Sequence, residues 1–358
     1  MRIAFDVSPL SHERTGVNNY IRGSLQGISE VARERGDEVV AFAPTSPAGR
    51  RTITETLAGF PVELRLKTFI GAHGWRTAWS RAGRPPAERW LGPFDALHFS
   101  DWMYPPQRRG VRATMVHDLV PLHFPDWVTP RTRSMHTHKY RNAVRTCDVI
   151  FTNSVFTADD VARTLGFARE RIVVAHPGIG AEFTAEGEAS DLGRPYALTV
   201  ATLEPRKNLG TLADAWPLLA GTDLALAVVG GRGWGEQPRL DRPGIVRLGR
   251  VDDDELARLY RGAAVMVYPS RYEGFGMPIT EAMACGAPVV ASVHPSLDEA
   301  CGDAAVRTDP ESAEAFAHSI REALDRREEL RAKGLAHAAG FSWRRNGKLH
   351  LEGYRRFS

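Results

Sequence analysis

Apolar runs of four to six residues alternate along the chain with stretches in which apolar positions recur every three or four residues, strand period against helix period. In the first half the runs predict strands at 3–7, 38–42, 62–68, 96–99, 113–116, 149–152 and 172–175. Helical spacing covers 17–35, 132–145 and 158–165. Residues 177–195 show no periodicity and are rich in Gly, Ala, Glu and Ser, as a linker would be. The alternation then restarts, with strands predicted at 196–200, 224–229, 245–248, 265–268 and 289–291 and helices between them. Near the end, Ser342 precedes an amphipathic helix that it can cap. Strands alternating with helices imply parallel sheets covered on both faces. The expected fold class is therefore α/β, with two tandem Rossmann-like doubly wound domains. Residues 1–180 form the first, 195–340 the second, and 341–358 a terminal helix. Ligands in such folds sit at the carboxyl ends of strands, so the expected site is a cleft between the domains.

The 358 residues are 43% hydrophobic and 25% charged, a balance that suits a soluble globular protein. No apolar run reaches the roughly 18 residues a membrane span needs, and the N-terminus enters a strand at once, so a cytoplasmic location is expected. Cys147, Cys285 and Cys301 are odd in number and scattered, which argues against a disulfide framework or a zinc knuckle. Charge is unevenly spread: residues 1–180 carry 24 Lys and Arg against 17 Asp and Glu, and the remainder 22 against 26. A basic first half suits an anionic partner or surface.

The densest chemistry lies in Glu273-Gly274-Phe275-Gly276-Met277-Pro278-Ile279-Thr280-Glu281, after the apolar run 264–267. Proline is tolerated in a first helical turn, so a helix is expected to start near Met277 or Pro278. Its free N–H groups would point back over Gly274 and Gly276, an arrangement that binds anions, diphosphate above all. Glu281 would then lie one turn into the helix, and Glu273 in the loop before it. A plain glycine-rich turn is the bland alternative. Leu203-Glu204-Pro205-Arg206-Lys207-Asn208 follows another strand. Arg206 offers a planar fork for phosphate oxygens and Lys207 a mobile point charge, although an exposed pair of loop cations would read the same way.

Weaker signals complete the set. His117, in His117-Asp118-Leu119-Val120-Pro121, ends a strand, where it could bond a hydroxyl or move a proton; a partly buried structural histidine is the usual outcome. His98 lacks an adjacent carboxylate and ranks lower. His136 and His138 share a helix with Arg133, Lys139 and Arg141, a solvated or acceptor-facing basic face. Gly16, in Thr15-Gly16-Val17-Asn18, lets backbone approach a ligand but belongs to no GxGxxG fingerprint. Leu248-Gly249-Arg250-Val251 leads into an acid-capped helix start, and the backbone at Arg250 and Val251 could edge a nucleobase pocket. No His, Cys and carboxylate set has metal-ligand spacing.

Taken together these motifs resemble retaining glycosyltransferases of family 4, with the GT-B fold, and among them bacterial mannosyltransferases of polysaccharide biosynthesis. The resemblance implies that Arg206 and Lys207 bind the diphosphate of the sugar donor, that Glu281 holds ribose hydroxyls, and that Glu273 contacts the transferred sugar. The backbone of Gly274, Phe275, Gly276 and Met277 would stand beside Glu273. Gly16 would line the phosphates across the cleft, His117 would touch the sugar, and the terminal helix would cross back onto the first domain. Many relatives carry two or more glycines in the first turn, where this chain has only Gly16. The implied reaction moves a hexose, mannose foremost, from a nucleoside-diphosphate sugar to a saccharide or lipid-linked acceptor. GDP-mannose is the implied donor, with UDP- and dTDP-sugars open, and no metal, other cofactor or nucleic acid is called for. A nucleotide-sugar 2-epimerase of the same fold and a non-catalytic sugar-nucleotide-binding protein are the rival classes. Residues 65–90 hold Arg65, Lys67, Arg76, Arg81, Arg84 and Arg89, with Phe69, Trp75, Trp79 and Trp90 interleaved. That mixture suits peripheral contact with an anionic membrane surface or a lipid-linked acceptor; a solvated helix with aromatic core anchors is the other reading.

Overall fold

The computed structural model describes residues 1–12, 15–69, 74–75, 77–79, 83–100 and 103–358. It divides into two compact units. The first comprises Met1–Leu122, Pro130–Gly178 and Ser342–Ser358, and the second His123–Thr129 and Ile179–Phe341.

Among the described residues the first unit is built on a seven-stranded parallel sheet: β1 (Arg2–Asp6), β2 (Glu38–Pro44), β3 (Glu63–Lys67), β4 (Ala96–Phe99), β5 (Val111–Val116), β6 (Val149–Thr152) and β7 (Ile172–Val174). Its order is β3-β2-β1-β4-β5-β6-β7, so the direction of growth reverses between β1 and β4. The longer helices are α1 (Gly16–Glu34), α2 (Pro47–Thr56), α3 (Pro130–Thr146) and α4 (Val155–Leu165). Every residue of β4, β5 and β6 is buried, which is why these strands are mainly apolar; the buried His98 and Arg112 are hydrogen-bonded to Tyr354 and to Pro105 O. Thr15 and Ser154 cap α1 and α4 with their hydroxyls, satisfying N–H groups that lack helical partners.

The second unit repeats the plan with β8 (Tyr196–Val200), β9 (Ala225–Val229), β10 (Ile245–Gly249), β11 (Val265–Tyr268), β12 (Val289–Ser292) and β13 (Ala305–Thr308), ordered β10-β9-β8-β11-β12-β13. Its longer helices are α5 (Leu209–Ala215), α6 (Asp253–Gly262), α7 (Met277–Ala284), α8 (Ala313–Asp325) and α9 (Arg327–Ala338). Here the reversal falls between β8 and β11. Both sheets are parallel and doubly wound, as the alternation of periods implies.

Several expectations change in detail. The aperiodic stretch 177–195 has no helix or strand but is not slack: Phe183 is buried in the second core, and Ser190 N–H donates to Arg258 O at 3.0 Å. The strand β13 and the helix α2 carry too few apolar positions to stand out in sequence. In β13 buried and half-buried positions alternate, and Arg307 spends its guanidinium on Ser292 O at 2.8 Å. Lys139 leaves the basic face of α3 altogether. It is 2% exposed, donates to Met115 O, and burial lowers its pKa to about 7. His98 is structural: it stacks on Phe5 and Phe151 and shares a 2.8 Å hydrogen bond with Tyr354.

In the basic aromatic segment, Arg76 and Arg81 lie outside the described residues. Trp75 and Trp79 are buried, stack with Trp90, and carry the Lys67 ammonium over the rings of Trp75 and Trp90. The tryptophans thus serve the core, while Phe69 is 80% exposed. Among the described residues no helix is long and apolar enough to cross a membrane.

The terminal helix α10 (Trp343–Arg356), capped by Ser342, belongs to the first unit and packs on α1. The crossing is backbone to backbone. A Cβ placed on Gly27 would sit 1.8 Å from Trp343 O, and one on Gly347 would sit 2.1 Å from Gly27 C. Asn346 fastens the crossing by donating to Tyr20 Oη and Ala175 O, both at 3.0 Å. No side chain can yield at such a contact, so Gly347→Ala must push the helices apart. We expect a loss of about 1–3 kcal/mol, read as a lowered thermal midpoint; an unchanged midpoint would show that the crossing adapts without cost.

Candidate active site

Two loops meet at the carboxyl ends of the neighbouring strands β8 and β11, where the strand order of the second sheet reverses. After β8 the chain makes a 3₁₀ turn over Pro205–Lys207 and leaves it through Asn208 in the left-handed region, at φ 55°. Asparagine tolerates that conformation better than most residues. Its side chain anchors the turn, with Nδ2 donating to Pro310 O at 2.7 Å. After β11 the loop runs to α7, and the N–H of Arg271 donates to Arg206 O at 3.0 Å, stitching the loops together. A left-handed Gly276, at φ 100°, precedes α7; a Cβ there would come within 3.0 Å of Leu297.

This geometry brings four charges into contact. Lys207 Nζ lies 2.6 Å from Glu273 Oε1, and Arg206 Nη1 lies 2.5 Å from Glu273 Oε2. The other fork of Arg206 reaches Glu204 Oε1 at 2.8 Å. Lys207 also donates to Tyr268 Oη at 3.1 Å, and the Glu273 N–H donates to Ser296 Oγ at 3.0 Å. All four charged side chains are largely buried, so they stand only because they are paired. Burial would raise the pKa of Glu273, but Arg206 and Lys207 outweigh it and hold the carboxyl at about 2. By the same linkage, Glu273 contributes stability above the ordinary carboxyl range that is lost as pH falls toward 2. Burial, aided by Arg206, lowers the pKa of Lys207, and burial raises that of Tyr268, which stays a neutral phenol.

The other expected residues distribute as follows. Glu281 lies on α7, buried, with Tyr260 Oη 3.4 Å from its carboxylate. Phe275 turns its ring into the core, 5.4 Å from Phe341, so its backbone alone is available beside Gly274, Gly276 and Met277. Arg250 is exposed with its guanidinium against Gly231, while Val251 packs on the core. Asp252 caps α6 through the N–H of Glu255 at 2.9 Å. Gly16 opens α1 and His117 follows β5, both in the first unit. His117 meets the edge of the Tyr20 ring at 5.1 Å, and burial, helped by His136, lowers its pKa to about 4. It is therefore a neutral imidazole at pH 7, able to bond a hydroxyl but not to act as a protonated acid.

Three contributors stand outside the expected set. Glu204, by sequence only a neighbour of Arg206, holds that guanidinium, and its Oε2 is buried without a hydrogen-bond partner. Such an orphan acceptor suits a ligand hydroxyl or a water. Tyr268 carried no sequence signal beyond its strand. The loop Gly230-Gly231-Arg232-Gly233 did carry one, its glycines: Gly230 at φ 144° presses on Ala201, where a Cβ would stand 1.9 Å from the carbonyl oxygen. Among the described residues no three His, Cys, Asp or Glu side chains converge as a metal site would require.

The cluster of cations and carboxylates stands at the switch point of a doubly wound sheet, the place where such folds bind ligands. The fold is that of known glycosyltransferases. A glycosyltransferase from Rickettsia africae superposes with TM-score 0.72 at 14% identity, over 99% of this chain and 98% of that one. Anabaena Alr3699/HepE, solved in complex with UDP-glucose, gives 0.69 at 18% identity, over 98% and 99%. Residues 16–183 match the model of Glycosyltransferase Family 4, and 194–326 that of Glycosyl transferases group 1. The O-antigen chain mannosyltransferase B of Escherichia coli is 30% identical over 96% of each chain. The chain belongs to glycosyltransferase family 4, with the GT-B fold.

The charge states set a pH profile. His117 should impose no loss of kcat/KM as pH falls from 7 toward 5, because its proton binds only near 4. On the alkaline side the loss should begin below the ordinary lysine value of 10.5 as Lys207 is neutralised. Lys207→Arg, which keeps its charge, should move that limb upward in a pH–rate measurement.

Proposed function

We propose that this glycosyltransferase moves a hexose, mannose, from GDP-mannose to a saccharide or lipid-linked acceptor during assembly of a cell-surface polysaccharide. The observation that carries the reading is the Arg206–Lys207–Glu273 cluster at the switch point of the second sheet. The sugar is suggested by the Escherichia coli relative, named as a mannosyltransferase that matches along almost the whole chain.

In this reading Arg206 and Lys207 take the diphosphate, exchanging part of their contact with Glu273 for phosphate oxygens. The bond from the anomeric carbon to the diphosphate breaks, the acceptor oxygen bonds to that carbon on the same face, and the acceptor proton passes to the departing phosphate. Stabilising the charge on the leaving diphosphate is then the main catalytic term. Glu273 faces the transferred sugar, beside the backbone of Gly274, Phe275, Gly276 and Met277, and Glu281 the ribose hydroxyls. Arg250 and Val251 edge the base. His117, as a neutral imidazole, serves the sugar, and Gly16 the phosphates; these two assignments rest on the family resemblance. The cations carry the neutralisation that a metal would otherwise supply. A lipid-linked acceptor would draw the protein to the cytoplasmic face of a membrane, where Phe69 is the exposed aromatic of its segment.

Two measurements test this. A ligand that binds only the folded state raises stability by RT ln(1 + [L]/Kd), so among GDP-, UDP- and dTDP-sugars GDP-mannose should give the largest thermal shift. A larger shift with a UDP-sugar would replace the proposed base. Folded Lys207→Ala and Glu273→Ala proteins should transfer sugar about 10²–10³-fold more slowly, the scale seen when a charge-stabilising group is removed. Near wild-type transfer by Lys207→Ala would overturn the mechanism.

A further inference from the structure

A second cationic site lies in the first unit, at the end of its sheet opposite His117. His117 follows the carboxyl end of β5, whereas this groove surrounds the strand's amino end at Gly110 and Arg112. It encloses about 700 Å³ between the loop preceding β5 and the last turns of α3. Arg108 and Arg109 on the loop, Arg141 and Arg145 on the helix, and Arg112 on the floor face it, with Asp148 the carboxylate on its wall.

The floor is built. Arg112 is 8% exposed, and its guanidinium is fixed by Pro105 O at 2.6 Å, Thr146 Oγ1 at 3.0 Å and Gln107 Oε1 at 3.2 Å. It lies over the Phe99 ring, 4.6 Å from the centroid. Two carboxylates near the loop each give one oxygen to backbone, while Glu88 Oε2 is buried without a hydrogen-bond partner. Glu88 accepts from the N–H groups of Arg108 and Arg109 at 2.6 and 3.2 Å, and Asp148 from that of Arg112 at 2.8 Å. The loop is thereby held in place while the side chains of Arg108, Arg109, Arg141 and Arg145 stay exposed, with no ion pair among the described residues.

Ordinary roles do not account for this clustering. Arg145 is favoured by the helix dipole in the last turn of α3, but Arg141 is one turn back and Arg108 and Arg109 are on a loop. Arg141 and Arg145, four residues apart, repel one another. Five guanidiniums around one concavity gain from a multiply charged oxyanion, whose geometry their planar forks match. Half-buried Tyr104 also lines the groove, giving an attached sugar or apolar group a surface to rest on.

We propose that this groove binds a phosphate or diphosphate ester, at a site separate from the one that takes the sugar donor. The ester comes either from a soluble phosphorylated ligand or from an anionic lipid headgroup. The test uses the full chain carrying Lys207→Ala, a substitution that on the proposed function weakens diphosphate binding at the first site. Inorganic diphosphate is titrated calorimetrically, and co-sedimentation is measured with phosphatidylglycerol and with phosphatidylcholine vesicles. Each measurement is repeated with Arg141→Gln/Arg145→Gln and, independently, with Arg108→Gln/Arg109→Gln, thermal melts confirming the fold. The expected result is saturable binding of diphosphate, of phosphatidylglycerol vesicles, or of both, weakened at least tenfold by either double substitution and falling as salt rises. Binding of diphosphate alone identifies a soluble ligand, and binding of the anionic vesicles alone a headgroup. If neither probe binds, or if binding is unchanged in the folded double variants, the proposal fails.

Discussion

Glu273 stands between Arg206 and Lys207, and the arrangement of the second unit's site follows from that contact. Each of these charges is buried deeply enough that alone it would cost several kcal/mol. None can move without stranding another. Glu204 completes the set by taking the second fork of Arg206. Formal charge balances, two cations against two carboxylates, which is what allows the cluster to be inside a protein at all. In the proposed reading an incoming diphosphate adds negative charge to this balanced network and shares Arg206 and Lys207 with Glu273, which would couple its binding to the loop before α7.

The partners are 66 and 67 residues apart in the chain. What joins them is the crossover from β8 through β9 and β10 back to β11 beside β8. Parallel strands end on one side, and the reversal of order leaves their two loops side by side without a helix between them. The left-handed Asn208 and Gly276 then aim the loops, one by an anchored side chain and the other by lacking a Cβ.

The first unit depends on a different constraint, the close approach of α1 and α10. Glycines on both helices let backbone meet backbone, and Asn346 ties the crossing to Tyr20, whose ring abuts His117. Residues from both ends of the chain therefore fix the surroundings of His117. In the same unit His98 shows how little a strand-end histidine reveals by itself: it is packed between Phe5 and Phe151, with Tyr354 as its partner.

Much of this was legible from one sequence. The buried parallel strands declared themselves because a strand covered on both faces is mostly apolar; 96–99, 149–152, 196–200 and 265–268 coincide with β4, β6, β8 and β11. The glycine turn, the start of α7 at Met277, and the placement of Glu273 in the loop and Glu281 on the helix followed from residue type and local spacing. The weakly apolar β13 and α2 were not legible, nor was the burial of Lys139, since a helix pattern does not say which face a long side chain escapes to. Local chemistry thus determined most of the elements and placed the charged groups at the ends of β8 and β11. Tertiary structure alone decided that Glu273 neutralises both cations, that Glu204 holds Arg206, and that the tryptophans of 65–90 face inward. Pairing and burial depend on what folding brings from elsewhere in the chain, and local spacing carries no record of that.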